Sequence, residues 1–483
     1  MTARGINVEE SIKKVKELLN SEPGISPALK SSIEVLIVLI AALLEMLSLN
    51  SKNSSKPPSS DPNREKKSRA KGERRPGGQK GHDFSTLQPV PDPDRIEIIQ
   101  IDRSTLPEGR YRVAGYEKRQ VVDIEISRII TEWQAEILED QTGKRYTAPF
   151  PEGVTRPIQY GAGVKIHAVY MSQFQLIPYS RVEDHFLDQM GIPISAGTIY
   201  NFNQDAYDRL AFFEEWAKSK LTMAQRINVD ETGINICGKK IWLHNTSNDA
   251  ITLFLPHEKR GAEAIDHIGI LPIYRGVACH DHWKPYYRYD CVHALCNAHH
   301  LRELEGVKEQ DKHQWAIKMS ELLTEINKRV KDAGGKLDAR ESESYRIRYR
   351  EILLDAEKEC PPPPPKEKGK KGKTAKSKAR NLLERLRDYE DDVLRFMDIE
   401  FVPFTNNQAE NDLRMTKVQQ KISGCFRSVD GAKIFCRVRS YLSTCRKNGV
   451  SASEALRLLF EGKLPAFIAE DLPSSKHFHI VTC

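Results

Sequence analysis

The stretch "RINVDETGINICGKKIWLHNTSNDAITLFLP", residues 226–256, most constrains what this chain folds into. Three apolar runs alternate with polar residues and are joined by the short turn sequences "CGKK" and "SND". A period of two, with Gly, Asn and Asp at the joints, predicts an antiparallel meander. A helical stretch at "GAEAIDHIG" follows, and "YRGVACHDHW" then offers a fourth apolar strand that ends in Asp281. Asp230 closes the first strand. If the fourth strand lies beside the first, the two carboxylates converge at one end of the sheet. Strand alternation points their neighbours Glu231 and His280 away from that end.

Converging carboxylates repel one another unless divalent metal sits between them, and Mg²⁺ accepts carboxylate oxygens while keeping positions for substrate phosphate. A pair of such ions, about 3.5–4 Å apart, stabilises the attacking and leaving oxygens of phosphodiester cleavage or transfer. A third acid stands in "TNNQAENDLRMTKVQQK", residues 405–421. There Glu410 opens a helix, with Thr405 or Asn406 as its cap, and Arg414, Lys417 and Lys421 follow on the same face. Two readings stay open. One is a solvated face with an i,i+4 ion pair; the other is a helix packed on the sheet, with Glu410 as third metal ligand and the bases along DNA phosphates.

The overall charge is +7. Between Lys52 and Lys80 stand ten Lys or Arg against three acids, and between Lys366 and Arg380 eight against one. Each segment thus carries +7, and the remainder of the chain sums to −7. Positive charge concentrated in Gly/Pro/Ser-rich stretches suits arms for a polyanion, with Lys66, Lys67, Arg69, Lys71, Arg74 and Arg75 as candidate DNA contacts; solubilising linkers are the plainer reading. None of the nine cysteines falls in the first 236 residues and no spacing suggests a disulfide framework, which fits a reducing cytoplasm. No signal peptide is recognised, and the apolar run "VLIVLIAALL" is about half the length that spans a bilayer.

Ahead of the meander, Leu29, Ile33, Leu36, Ile40, Leu43 and Leu47 form a heptad seam, either for dimerisation or for burial in a small helical bundle. The runs "RIEIIQID", "RQVVDIEI" and "WQAEILED" predict a small β-rich module without cysteines. "SRVEDHFLDQMGIPISAGTIYNFNQDAYDRL" predicts a helix, a turn at Gly191, an N-cap at Ser195 and a second helix, a layout shared by DNA-binding helix-turn-helix units and by ordinary α-rich cores. Between Asp281 and Glu410 lie 128 residues, read as helices from about 293 to 359, a Pro/Lys-rich loop at 360–380 and one further helix, "NLLERLRDYEDDVLRFM". "CHDHWKPYYRYDCVHALCNAHH" holds eight of the chain's 23 Cys and His residues, and Cys291, Cys296 and His299 have zinc-like spacing, with helix packing as the alternative. Trp283 and Tyr286 either stack on an extruded base or pack in the core.

The ordered motifs "NSKNSSKPPSSD", "RRPGGQKGH", "IPISAGTIYNF", "NVDETG" and "NNQAENDLR" together resemble the transposases of the insertion sequence 66 family, over about residues 30 to 460. The resemblance implies a DDE transposase with an RNase H-like catalytic domain, and Asp230, Asp281 and Glu410 as its metal-binding triad. The spacing from Glu410 to Lys417 is similar to that of related DDE families. It also implies Mg²⁺ or Mn²⁺ as cofactor, DNA as substrate, a bacterial, nucleoid-associated location, assembly of several copies on two DNA ends, and accessory proteins from the same element. Many relatives carry a zinc ribbon with paired CxxC motifs, and here the corresponding stretch has no cysteine. A nuclease without strand transfer, and a transposase-derived DNA-binding protein without catalysis, are the competing readings.

The expected fold is multidomain α+β. A helical segment (1–49) is followed by a basic linker (50–92), a β-rich module (93–155) and a helix-turn-helix-like region (156–222). The catalytic domain (223–290) is interrupted by a helical insertion (291–400) and completed by the Glu410 helix (401–460), with a tail at 461–483.

Overall fold

The computed structural model describes residues 2–3, 6–22, 24–48, 50, 52, 53, 61, 87–363 and 376–471. Most of the basic linker, including Lys66, Lys67, Arg69, Lys71, Arg74 and Arg75, lies outside them, as do much of the Pro/Lys loop and the end of the tail. Among the described residues the protein is mixed α and β, with sixteen α-helices and a five-stranded mixed sheet. None of these helices is long and apolar enough to cross a membrane.

Helices α1 (Val8–Ser21) and α2 (Pro27–Ser48) open the chain. On α2 the seam residues Leu29, Leu36, Ile40 and Leu43 are exposed, while Ile37 between them is buried. The β-rich module is not formed as predicted. Only a hairpin of Ile137–Glu139 with Arg145–Thr147 pairs, and Ile96, Ile99, Val121, Ile129 and Ile130 stand in solvent along irregular chain. The reason is physical: strands this short need a covering layer or a staple, and the segment has neither a packed helix nor a cysteine.

Helices α3 (Ala162–Val169), α4 (Tyr179–Met190), α5 (Ala196–Arg209) and α6 (Ala211–Met223) follow. The turn between α4 and α5 is as the sequence predicts. Gly191 ends α4 at φ 62°, a left-handed conformation that glycine adopts without strain, and Ser195 Oγ accepts the Thr198 N–H at 3.2 Å. Helix α5 buries Ile199, Phe202 and Ala206 in the core, and its exposed side carries Asn201 and Asp208.

The sheet comprises β1 (Arg226–Ile236), β2 (Lys239–Ser247), β3 (Thr252–His257), β4 (Val277–His280) and β5 (Val292–Leu295), with α7 (Ala262–Ile268) crossing between β3 and β4. Its order is β3-β2-β1-β4-β5. The first three strands are an antiparallel meander, and β4 and β5 run parallel to β1. Cys237 and Gly238, both with positive φ, make the two-residue turn between β1 and β2 that matches strand twist. Strand β4 is buried on both faces, as a parallel strand between helical layers must be. Ala278 faces the core of α3–α6, and Val277 and Cys279 face the helical insertion.

The insertion begins later than 291, because Val292–Leu295 is the edge strand β5 rather than helix. Its short apolar run is ambiguous in sequence, and pairing with β4 decides it. Helices α8 (Asn297–Gln310), α9 (Gln314–Asp332), α10 (Ala339–Glu359), α11 (Lys378–Asp388) and α12 (Glu390–Asp398) then close around their own core of Trp315, Leu323, Tyr349, Leu383 and Met397. The single helix expected over α11 and α12 is broken at Tyr389. Helix α13 (Asn407–Ser423) returns across β1 and β2, α14 (Val429–Lys447) packs on β3, and α15 (Ala452–Phe460) and α16 (Ala466–Ala469) complete the fold.

Gly276 stands where β1, β4 and β5 begin, and a Cβ there would lie 2.6 Å from Gln225 O and 2.7 Å from Ala224 O. Backbone cannot yield as a side chain does, so Gly276→Ala is expected to destabilise by about 1–3 kcal/mol. A lowered midpoint in thermal melts of the full chain, with a near-native circular dichroism spectrum below it, is the outcome to look for.

Candidate functional site

The parallel register places the first two acids. Asn228 pairs with Cys279, so Asp230, two residues on, comes level with Asp281, two residues on from Cys279. Neighbouring strands lie about 4.8 Å apart, and equal offsets point both side chains to the same face. Asp230 sits within β1 rather than closing it, because β1 continues into the hairpin beyond the end of β4. Asp281 Oδ1 accepts the Trp283 N–H at 3.3 Å, which turns the chain out of the sheet.

The third acid arrives from α13. Asn406, which is buried, precedes the helix but does not cap it with its side chain. Its amide Nδ2 donates to Val229 O at 3.0 Å, and its Oδ1 accepts from Asn228 Nδ2 at 2.7 Å. Its backbone N–H donates to Cys296 Sγ at 3.1 Å. These bonds tie the start of α13 to the strand of Asp230, and Asn245 Nδ2 donating to Ala409 O at 3.3 Å adds β2. Further along, Lys417 Nζ donates to Gly233 O at 3.0 Å. Lys417 therefore anchors α13 to β1, and burial and the nearby Lys240 lower its pKa. Arg414 and Lys421 are exposed.

Asp230 feels the acids around it. Burial pushes the Asp230 carboxyl well above the usual carboxylate range, and the charges of Glu231, Asp281 and Glu410 push the same way. Glu410 does not pair with Arg414 in an i,i+4 bridge. Its Oε1 lies 3.9 Å from His299 Nδ1 and 3.7 Å from Arg302 Nη2, both on α8, and accepts no hydrogen bond. Repelling carboxylates and a buried oxygen without a donor are what a divalent cation relieves, and the oxygen donors suit Mg²⁺ or Mn²⁺.

Glu231 and His280 point away from the acids as alternation predicts, into structural networks. Glu231 Oε1 accepts from Arg260 Nε at 2.7 Å and its Oε2 accepts from Tyr286 Oη at 2.5 Å. The Arg260 guanidinium also lies 4.8 Å from the Trp242 ring and 4.3 Å from the Trp283 ring, so this cation is held between two indoles. The buried Tyr286 is a core residue and not a base-stacking platform. His280 Nδ1 accepts the His282 N–H at 3.2 Å, which leaves the proton on Nε2 to donate to His293 Nδ1 at 3.0 Å. Burial holds His280 neutral, with its pKa well below the ordinary value.

Cys291 leaves the predicted zinc trio. It and Cys296 flank β5 at opposite ends, about 16 Å apart at the rise of a strand, too far to share an ion. Cys296 and His299 instead gather with Glu410. Arg260 and the role of Asn406 were not legible in sequence. Arg260 belongs to a loop with no periodicity, and the Asn406 side chain acts across the fold on β1.

Residues 158–434 match the family described as Transposase IS66 family, and residues 2–87 match a family of unknown function (DUF6444). No curated protein matches the chain.

The raised Asp230 pKa has a definite consequence for stability. The unfolded carboxyl titrates near about 3.9, so its favourable contribution is complete below that pH and is lost as pH rises through the higher folded value. With chelator present, Asp230→Asn is therefore expected to melt higher than the native chain at pH 7, with the gap closing toward pH 4. Parallel pH series of thermal melts check this, and a gap that stays constant or widens toward acid refutes it.

Proposed function

The chain belongs to the IS66 family of transposases, and from that premise we propose that it cuts DNA at the ends of an insertion sequence and joins the freed 3′ hydroxyl to target DNA. The observation that carries the catalytic reading is that the charges of Asp281 and Glu410, together with that of neighbouring Glu231, bear on the buried Asp230, the acids coming from β1, the residue after β4 and a crossing helix. The strand order, with one acid on the first strand and one directly after the fourth, supports an RNase H-like catalytic domain.

In this reading Asp230, Asp281 and Glu410 hold two Mg²⁺ or Mn²⁺ ions. When bound, the ions supply Lewis-acid stabilisation of the oxygens that gain charge during phosphodiester cleavage and transfer. Asp230 and Asp281 fix positions on rigid strands, and Glu410 reaches in from a helix bolted down by Asn406 and Lys417. Arg414 and Lys421, exposed on α13, lie along the phosphates of the entering strand. The basic linker residues Lys66 to Arg75 add a sequence-independent grip on DNA, and the exposed apolar seam of α2 supports pairing of two copies.

Cleavage of labelled DNA carrying the element's own ends, with Mg²⁺ and any accessory proteins of the element supplied, tests the reading. Asp230→Asn, Asp281→Asn and Glu410→Gln are each expected to lower the rate by about three orders of magnitude, the loss of several kcal/mol of charge stabilisation, while still binding the DNA. Cleavage without joining would leave a nuclease. Binding by all four proteins, with cleavage equal or absent, would overturn the triad in favour of a DNA-binding role.

A further inference from the structure

Cys296, His299 and Glu410 each place one metal-ligating atom within 4.8 Å of the other two, near the N-termini of α8 and α13. Two of these atoms, His299 Nδ1 and Glu410 Oε1, are buried and have no hydrogen-bond partner, yet at 3.9 Å they are too far apart to bond each other. Two orphaned buried acceptors or donors facing across a gap are costly unless a third body joins them. The third atom, Cys296 Sγ, belongs to a residue only 2% exposed and accepts the Asn406 N–H at 3.1 Å.

We propose that Cys296 Sγ, His299 Nδ1 and Glu410 Oε1 form a site for a borderline transition-metal ion of the zinc class, separate from the hard ions assigned to Asp230 and Asp281. The donor set itself makes the selection: a thiol sulfur and an imidazole nitrogen favour Zn²⁺ or Co²⁺ over Mg²⁺. Bonds of about 2.0–2.3 Å in a tetrahedron put ligand atoms about 3.3–3.8 Å apart, so the three close by up to about 1.5 Å on binding. The Glu410 side chain, 38% exposed, has room to make that movement. On binding, the Cys296 proton is released to solvent and the thiolate bonds the metal. Three protein ligands leave a fourth position open. Glu410 is then a bridge, with Oε1 on this ion and Oε2 free for the ion of the two aspartates, and the ion rivets α13 to α8. The bridging role rests on the triad reading; the Cys296/His299/Glu410 site does not.

The test is titration of the metal-stripped full chain with Co²⁺ alone, read as the near-ultraviolet thiolate-to-metal charge-transfer band. One equivalent is expected to develop the band in the native chain and in Asp230→Asn, and no band in Cys296→Ser. Zn²⁺ competition against a chromophoric chelator is expected to show His299→Gln weakened by more than about 100-fold, beyond what loss of an outer partner costs. This second variant keeps the test decisive if Cys296→Ser fails to fold. No band in the native chain, a band that survives Cys296→Ser, or unchanged Zn²⁺ affinity in His299→Gln overturns the site. Loss of the band in Asp230→Asn overturns its separateness from the hard-ion pair. Asp230→Asn also separates the two readings, since it removes cleavage without removing the band.

Discussion

Asn406 is the constraint on which the site depends. Its two side-chain bonds reach Asn228 and Val229 on β1, its N–H reaches Cys296 at the foot of α8, and its carbonyl accepts the Glu410 N–H at 3.3 Å. One buried amide thus holds together a strand, a helix and the N-terminus of a second helix that come from three distant stretches of chain. Each bond contributes only about 0.5–1.5 kcal/mol net, but leaving any of these buried groups unmatched costs about 1–3 kcal/mol. The geometry is specified less by the strength of the bonds than by the cost of breaking them.

Around this joint the protein segregates its charges. Asp230 stands on one face of β1, and the acid on the opposite face, Glu231, is held by Arg260 and Tyr286. Lys417 adds a fixed positive group whose amine is spent on a backbone carbonyl of β1. Elsewhere the helical insertion and the helices beneath the sheet each bring an extensive apolar core.

The meander was legible because period-two alternation and turn residues report local geometry directly, whereas β4 beside β1 was only a condition in the sequence, and its parallel direction and the level of Asp230 with Asp281 come from long-range pairing. The Gly191 and Ser195 turn was legible for the same reason. The β-rich module misled because alternation reports what a strand needs on its inner face and not whether anything supplies it. Strand β5 was missed because a four-residue run with three apolar side chains fits a helix as well as an edge strand. The link from Glu410 to His299 and Arg302 was missed because it joins residues more than a hundred positions apart, and helical spacing offered the nearer Arg414.

The long insertion has a bearing on synthesis. With 128 residues between Asp281 and Glu410, a ribosome adding about 5–20 residues per second separates the two acids by about 6–25 s. During that interval the nascent chain holds two carboxylates on a forming sheet and lacks the helix that brings the third. The five helices between them have a core of their own and can close first. An arrangement of acids laid out in this way stays incomplete until most of the protein has left the ribosome.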